Sequence, residues 1–183
     1  RVGGVGVLPV LVSCLESAEK ELQQNAAGAL MNLALLDENR TAIGAVGSIP
    51  PLVKLLRARG ILQSLAVGAL ESLALDNANK ARIIEEGGIP LLVGLLASDV
   101  KSARLSAIGA LQSLALLDEG KERIAASGGI APLVEVLRCD GEDELVRALG
   151  ALQNVARKPE NKAEIASSGA IPLLVELLSR DDA

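Results

Sequence analysis

The chain has 183 residues, half of them hydrophobic and 22% charged, and contains no Phe, Trp, Tyr or His. Without imidazole there is no Ser-His-Asp or Cys-His nucleophile, no His-ligated zinc and no histidine switch; without rings there is no base-stacking platform or aromatic interface anchor. A formal charge of −5 argues against phosphate-backbone binding, so no nucleic-acid partner is expected. A mean hydropathy of +0.38 is high, so the fold must hide aliphatic side chains. Cys14 and Cys139 are too few for a disulfide framework and too far apart for a metal site. They read as free thiols in a reducing compartment, which points to an intracellular protein, cytoplasmic or nuclear. No metal and no cofactor is expected.

Residues 1–12 set a positive charge, Arg1, before an apolar run, as a targeting segment does. The same pattern recurs inside the chain, so it is read as structure. No uncharged stretch reaches the ~18 residues that span a bilayer, and no membrane span is expected.

In chain order, three markers recur with a period of 40 to 41 residues. A Gly-x-aliphatic-Pro junction begins at Gly6, Gly47, Gly87 and Gly169, with Gly128-Gly129-Ile130-Ala131-Pro132 as its longer form. Gly-Ala-Leu begins at Gly28, Gly68, Gly109 and Gly150. Asn-Lys/Arg-x-x-Ile begins at Asn39, Asn79 and Asn161, and Gly120 replaces Asn before Lys121. The second unit is one residue short, which places a deletion near Arg57 to Gly60.

Each unit reads as three helices. The first is short, capped by Asn39, Asn79 or Asn161, and stops at a Gly suited to a left-handed cap. Pro opens the second at the first helical position, as before Leu52-Val53-Lys54-Leu55-Leu56. The third is the longest, for example Lys101 to Leu117, and starts near Ser98-Asp99 or Glu142-Asp143-Glu144. No period-2 alternation suggests strands. The divisions are 1–38 (second and third helices), 39–78, 79–119, 120–160, and 161–183 (first and second helices). This cut would leave Val5, Val7, Leu8, Leu173, Leu174 and Leu177 partly uncovered, as in a piece of a longer array or one that stacks on another copy.

Helix triplets at this period resemble the armadillo repeat over essentially the whole chain. The residues that carry the likeness are Asn161-Lys162-Ala163-Glu164-Ile165, Gly169 to Leu178, and Gly28-Ala29-Leu30-Met31-Asn32-Leu33-Ala34. The pattern is most similar to plant U-box and fungal vacuolar armadillo arrays, and less to importin-α or β-catenin. The two-helix HEAT repeat is the alternative, disfavoured by the Gly-x-Ile-Pro junction. The resemblance implies an all-α, right-handed superhelical solenoid.

Catalytic motifs are few. Ser17-x-x-Lys20 and Ser98-x-x-Lys101 match a hydrolase pattern, but they fall at equivalent helix starts and read as caps. Gly120-Lys121 lacks the upstream Gly of a phosphate loop, and Glu85-Glu86 and Glu142-Asp143-Glu144 read as solvated helix ends. The chain is therefore expected not to be an enzyme; catalysis would need a domain outside these residues.

The armadillo resemblance places the third helices on the concave face. Residues three and four apart then form ladders: Asn25-Gly28-Asn32, Leu65-Gly68-Ser72, Ser106-Gly109-Ser113 and Arg147-Gly150-Asn154. Glu71, Gln112 and Gln153 lie alongside. In peptide-binding relatives an Asn at the last ladder position clamps an extended ligand. Asn32 and Asn154 match it, while Ser72 and Ser113 depart from it. The candidate groove residues are thus Asn25, Asn32, Glu71, Ser72, Ser106, Gln112, Ser113, Arg147, Gln153 and Asn154. The mid-helix glycines would serve either close helix packing or a ligand backbone. The expected role is a scaffold for a partner protein or extended peptide, weakly favouring a basic one. The alternative is a structural solenoid that associates with itself through its open ends.

Overall fold

The computed structural model describes residues 6–180, with Arg180 described by its backbone alone; Val5 and Arg1 lie outside these residues. The helices come in order α1 (Val7–Leu15), α2 (Lys20–Leu33), α3 (Asp37–Ala45), α4 (Ile49–Leu55), α5 (Ile61–Leu73), α6 (Asn77–Glu85) and α7 (Gly88–Leu95). They continue with α8 (Lys101–Leu114), α9 (Asp118–Ala126), α10 (Ile130–Val136), α11 (Glu142–Val155), α12 (Pro159–Ser167) and α13 (Ala170–Arg180). No strand occurs among the described residues, and the chain is an all-α solenoid.

The first helices start two residues before the expected Asn caps. α3 and α9 open on Asp-Glu pairs, α12 on Pro159 and Glu160, and each acidic side chain meets the positive end of the helix dipole. The true cap of α6 is Asp76, whose carboxylate accepts the Asn79 backbone N–H at 3.0 Å. Asn39, Asn79 and Asn161 instead lie inside their helices, all buried. Asn39 and Asn161 donate from Nδ2 to the carbonyls of Leu33 (2.8 Å) and Val155 (3.1 Å), at the end of the preceding third helix. Each carbonyl also accepts the backbone N–H three residues on, from Leu36 and Lys158, so the buried amide gains an acceptor at a helix end that only a tightened turn would otherwise fill. Asn79 reaches instead to the Arg40 carbonyl of α3 at 2.8 Å and ties neighbouring units together. Its amide lies over Gly44, where any Cβ would collide with it. At Gly120 a Cβ would strike the Leu114 carbonyl, so backbone approach takes the place of the Asn bond there.

Three further expectations need correction. Proline sits at the second or third helical position, not the first; Pro50, for example, follows Ile49 in α4. Its missing N–H costs nothing anywhere in the first turn. α8 ends at Leu114 instead of Leu117, because Leu116 and Leu117 turn into tighter bonds to Ser113 and Leu114. Ser17 and Ser98 are not caps: each hydroxyl accepts the N–H two residues on, forming a turn just before the helix. The glycine after each first helix does take the left-handed conformation, with φ from 67° to 82° at Gly47, Gly87, Gly128 and Gly169. Gly60, also at positive φ, starts α5 one residue late and so absorbs the deletion.

The third helices α2, α5, α8 and α11 stack consecutively, and first and second helices pack on their outer side. Ala26, Ala66, Ala107 and Ala148 are buried where these helices meet, and large aliphatic residues such as Leu111 fill the layer behind. At the ends, Leu8 and Leu173 are buried in this core, contrary to expectation, because α1 packs on α2 and α13 on α12. Val7 and Leu174 are exposed, and Leu177 is half-buried.

Burial raises the Asp76 carboxyl, but the Asn79 and Ala78 amides, the Thr41 hydroxyl and Lys80 outweigh it and hold the group below its usual value. The Thr41 hydroxyl donates to it from the neighbouring first helix, at 2.9 Å. A depressed carboxylate contributes stability above its unfolded pKa, and that contribution disappears as pH falls through the folded value. Thr41→Val should therefore move the Asp76 titration midpoint, followed by carboxyl NMR, upward; an unmoved midpoint would refute the assignment. Leu111→Ala should cost about 2–5 kcal/mol in urea unfolding through the cavity it leaves.

Candidate functional site: the face of the third helices

Each third helix carries a glycine at its centre, approached by side chains from the neighbouring third helices: from both sides at Gly68 and Gly109, and from one side at Gly28 and Gly150. The residue three after one glycine lies over the next: Met31 over Gly68, Glu71 over Gly109 and Gln112 over Gly150. The residue three before a glycine reaches back over the previous one: Leu65 toward Gly28, Ser106 toward Gly68 and Arg147 over Gly109. A methyl group on Gly68 would come within 2.7 Å of Met31 Sδ, and one on Gly109 would meet both Glu71 and Arg147. Neither of the two expected uses of these glycines is the whole account. They are seats that neighbouring side chains occupy.

Over Gly109 the occupants form an ion pair. Arg147 Nη1 donates to Glu71 Oε1, joining α5 to α11 across α8, two units apart. Side chains about a quarter to a third exposed are well hydrated, so the pair adds little net charge to the face and modest stability.

The ladder residues divide by what they already bond. Asn25, Asn32 and Gln153 are exposed; Ser72, Ser106, Gln112, Ser113 and Asn154 are half-buried. Asn154 donates to the Gln112 carbonyl of α8 at 3.1 Å, and Ser72 donates to the Gly68 carbonyl one turn back at 3.2 Å. Asn32 and Ser113 have no side-chain hydrogen bond among the described residues. The expected pair of clamps is thus unequal: Asn32 is free for a ligand, and Asn154 already joins two helices.

Sequence reasoning missed the next ladder position. One tightened turn beyond each ladder stand Leu35, Leu75 and Leu116, at 64%, 53% and 53% exposure, and then Arg157. Their signal in the sequence is the helix register itself, seven residues after each glycine. At the C-terminal end, an open hollow of about 630 Å³ lies between α11 and α13, beside Gln112, Val146, Leu149, Gln153 and Leu174.

No group of three or more Cys, Asp or Glu among the described residues could hold a metal ion, and both cysteines are free and half-buried. No helix among these residues is long and apolar enough to cross a membrane. A double-mutant cycle on Glu71→Gln and Arg147→Gln should give a coupling of about 0.2–1 kcal/mol that shrinks in high salt. A salt-independent coupling of several kcal/mol would show that the pair is desolvated, against this geometry.

The sequence matches the family model of the armadillo/beta-catenin-like repeat at residues 2–35 and 76–116. No curated protein matches it in sequence. Among solved structures, it is 31% identical to a computationally designed armadillo repeat protein for modular peptide recognition. That match covers 95% of this chain and 75% of the designed one, with a TM-score of 0.90. A designed armadillo repeat protein in complex with the peptide (KR)4 is 30% identical over 95% of this chain and 75% of its own, at a TM-score of 0.87. An engineered protein is 33% identical over 94% of this chain and 43% of its own, at a TM-score of 0.90. Fold, repeat and identity agree, and the chain belongs to the armadillo repeat family.

Proposed function

We propose that this array is a non-catalytic scaffold that binds an extended peptide or a segment of a partner protein along the face of its third helices. The observation that carries the reading is the continuous layer α2–α5–α8–α11, which presents free amides at Asn25, Asn32 and Gln153 on one side. Peptide recognition by designed relatives of the same fold supports it. Glu71, Ser72, Ser106, Gln112, Ser113, Arg147 and Asn154 complete the proposed surface. The preference for a basic ligand does not follow from Glu71, whose carboxylate is already paired with Arg147. Free thiols at Cys14 and Cys139 are in keeping with an intracellular setting.

A second reading is self-association through the ends. It rests on Leu174, Val175 and Leu178, which are exposed on α13, with Leu174 at the rim of the C-terminal hollow.

The test is selection of peptides from a display library, followed by titration against the double variant Asn32→Ala, Gln153→Ala. Each lost hydrogen bond is worth about 1 kcal/mol, so affinity should fall roughly tenfold or more while the helical signal stays unchanged. Undiminished affinity would sink the groove, and a mass that rises with concentration in light scattering would favour self-association.

A further inference from the structure

We propose that two copies of this chain pair edge to edge about a twofold axis, the basic turn between α4 and α5 of each meeting the acidic turn between α10 and α11 of the other. The inference goes beyond the groove reading and does not depend on it. These turns precede the third helices and contain none of the proposed groove residues.

Charge is segregated along this edge. Lys54, Arg57 and Arg59 lie within six residues at the end of α4 and in the turn that follows, all exposed. No acidic residue occurs between Glu38 and Glu71, in a chain whose net charge is −5. None of the three cations bonds to another side chain among the described residues; nor do Glu16, Glu19 and Asp99, which the flanking turns carry. At the equivalent turn two units on, the signs reverse. Asp140, Glu142 and Asp143 are exposed and unpaired among the described residues. The cations that reach that turn are already held: Arg138 bonds Glu135 at 3.1 Å, and Arg104 bonds Glu144 at 2.7 Å.

Between these two, the α7–α8 turn carries one charge of each sign, Asp99 and Lys101, both exposed and unpaired among the described residues. Consecutive stacking of α5, α8 and α11 sets the three turns side by side, in the order positive, mixed, negative. A twofold axis through the middle turn inverts that order. Positive then meets negative on one side, negative meets positive on the other, and Asp99 faces Lys101 of the partner subunit. The same surface serves both copies, as an isologous pair requires. The other alignment, with each turn against its own counterpart, sets like charges together at both ends. A phosphate surface would suit the α4–α5 turn alone and be repelled by the α10–α11 turn; a second copy satisfies both.

Exposed ion pairs are individually weak and screened by salt, and contacts confined to turns make a small interface. Ile61, 67% exposed at the start of α5, and Val100, 43% exposed at the axis, add apolar contact. The pair is therefore a transient one, driven by charge.

Sedimentation equilibrium over a concentration series tests it at two ionic strengths. Charges act over about 30 Å at about 0.01 M and over about 3 Å at about 1 M. At low ionic strength the chain should reach the mass of a dimer and no more, and the dissociation constant should rise about tenfold or more at high. Arg57→Glu with Arg59→Glu makes both outer turns acidic, and Asp140→Lys with Glu142→Lys makes both basic. Each double variant alone should weaken the dimer about tenfold or more, and the neutral pair Arg57→Gln, Arg59→Gln should do so about fivefold. Mixed in equal amounts, the two charge-reversed variants should pair with each other about as tightly as the unaltered chain pairs with itself, since both contacts then join opposite charges. All four altered residues are exposed, and circular dichroism should show the helical signal unchanged. A chain that stays monomeric at low ionic strength, an association that survives either reversal, or a mixture that fails to pair would overturn the proposal. So would mass beyond the dimer, or an association that resists salt and is lost in Leu178→Ser, which is stacking through the ends. Binding to anionic lipid vesicles in place of self-pairing would assign the basic turn to a phosphate surface and overturn it too.

Discussion

Close approach of the third helices is the constraint on which the rest of the molecule depends. Small residues at two adjacent places make it possible: buried alanines at Ala26, Ala66, Ala107 and Ala148, and the glycine two positions after each. A chain without aromatic side chains can build a core this way because thin helices gain their contacts from proximity and not from large rings. Mid-helix glycine carries a cost of about 1 kcal/mol against alanine, and here it is offset by the side chains that settle on it. Met31, Glu71 and Gln112 each cover the glycine of the next unit, so consecutive helices interlock in a fixed register.

A second set of bonds fixes the register on the outer side. Asn39, Asn79 and Asn161 are buried amides that satisfy backbone carbonyls of the third helix or of the neighbouring first helix. Arg40 and Arg82 act alike, donating to the Ala34 and Gly44 carbonyls at the ends of helices. Except for Asn79, which reaches the Arg40 carbonyl inside α3, each of these groups donates to a carbonyl at a helix end, where the internal ladder runs out, and an array of short helices has many ends. Short helices are stable only through these tertiary bonds, since isolated segments of this length would not hold together in water.

These two devices also shape what the face can do. The centre of the third-helix face is occupied by an internal ion pair over Gly109, and Asn154 is committed to Gln112. Free polar groups and exposed leucines remain nearer the edges. Under the proposed scaffold role, recognition by this face would rely on shape more than on charge, since its carboxylate and guanidinium neutralise each other.

Much of this was legible in the residues alone. The period, the three helices per unit and the left-handed glycines follow from local pattern, because each repeat restates the same short-range physics; the stacking of the third helices was an implication of the armadillo resemblance. The late start of α5 was visible as a missing residue. What the residues alone misassigned were polar side chains whose partners lie in another unit. Asn39 and Asn161 look like caps in sequence, since a cap and a buried inter-helix amide draw on the same residue type. Glu71 and Arg147 are 76 positions apart, and nothing local announces that they meet. Leu8 and Leu173 looked uncovered because their cover comes from helices that only packing brings near. The sequence by itself determined the repeat, its helices and the absence of ring and imidazole chemistry. Only the tertiary structure decided which side chains fill the glycine seats and which stay free for a partner, because that depends on distances between units.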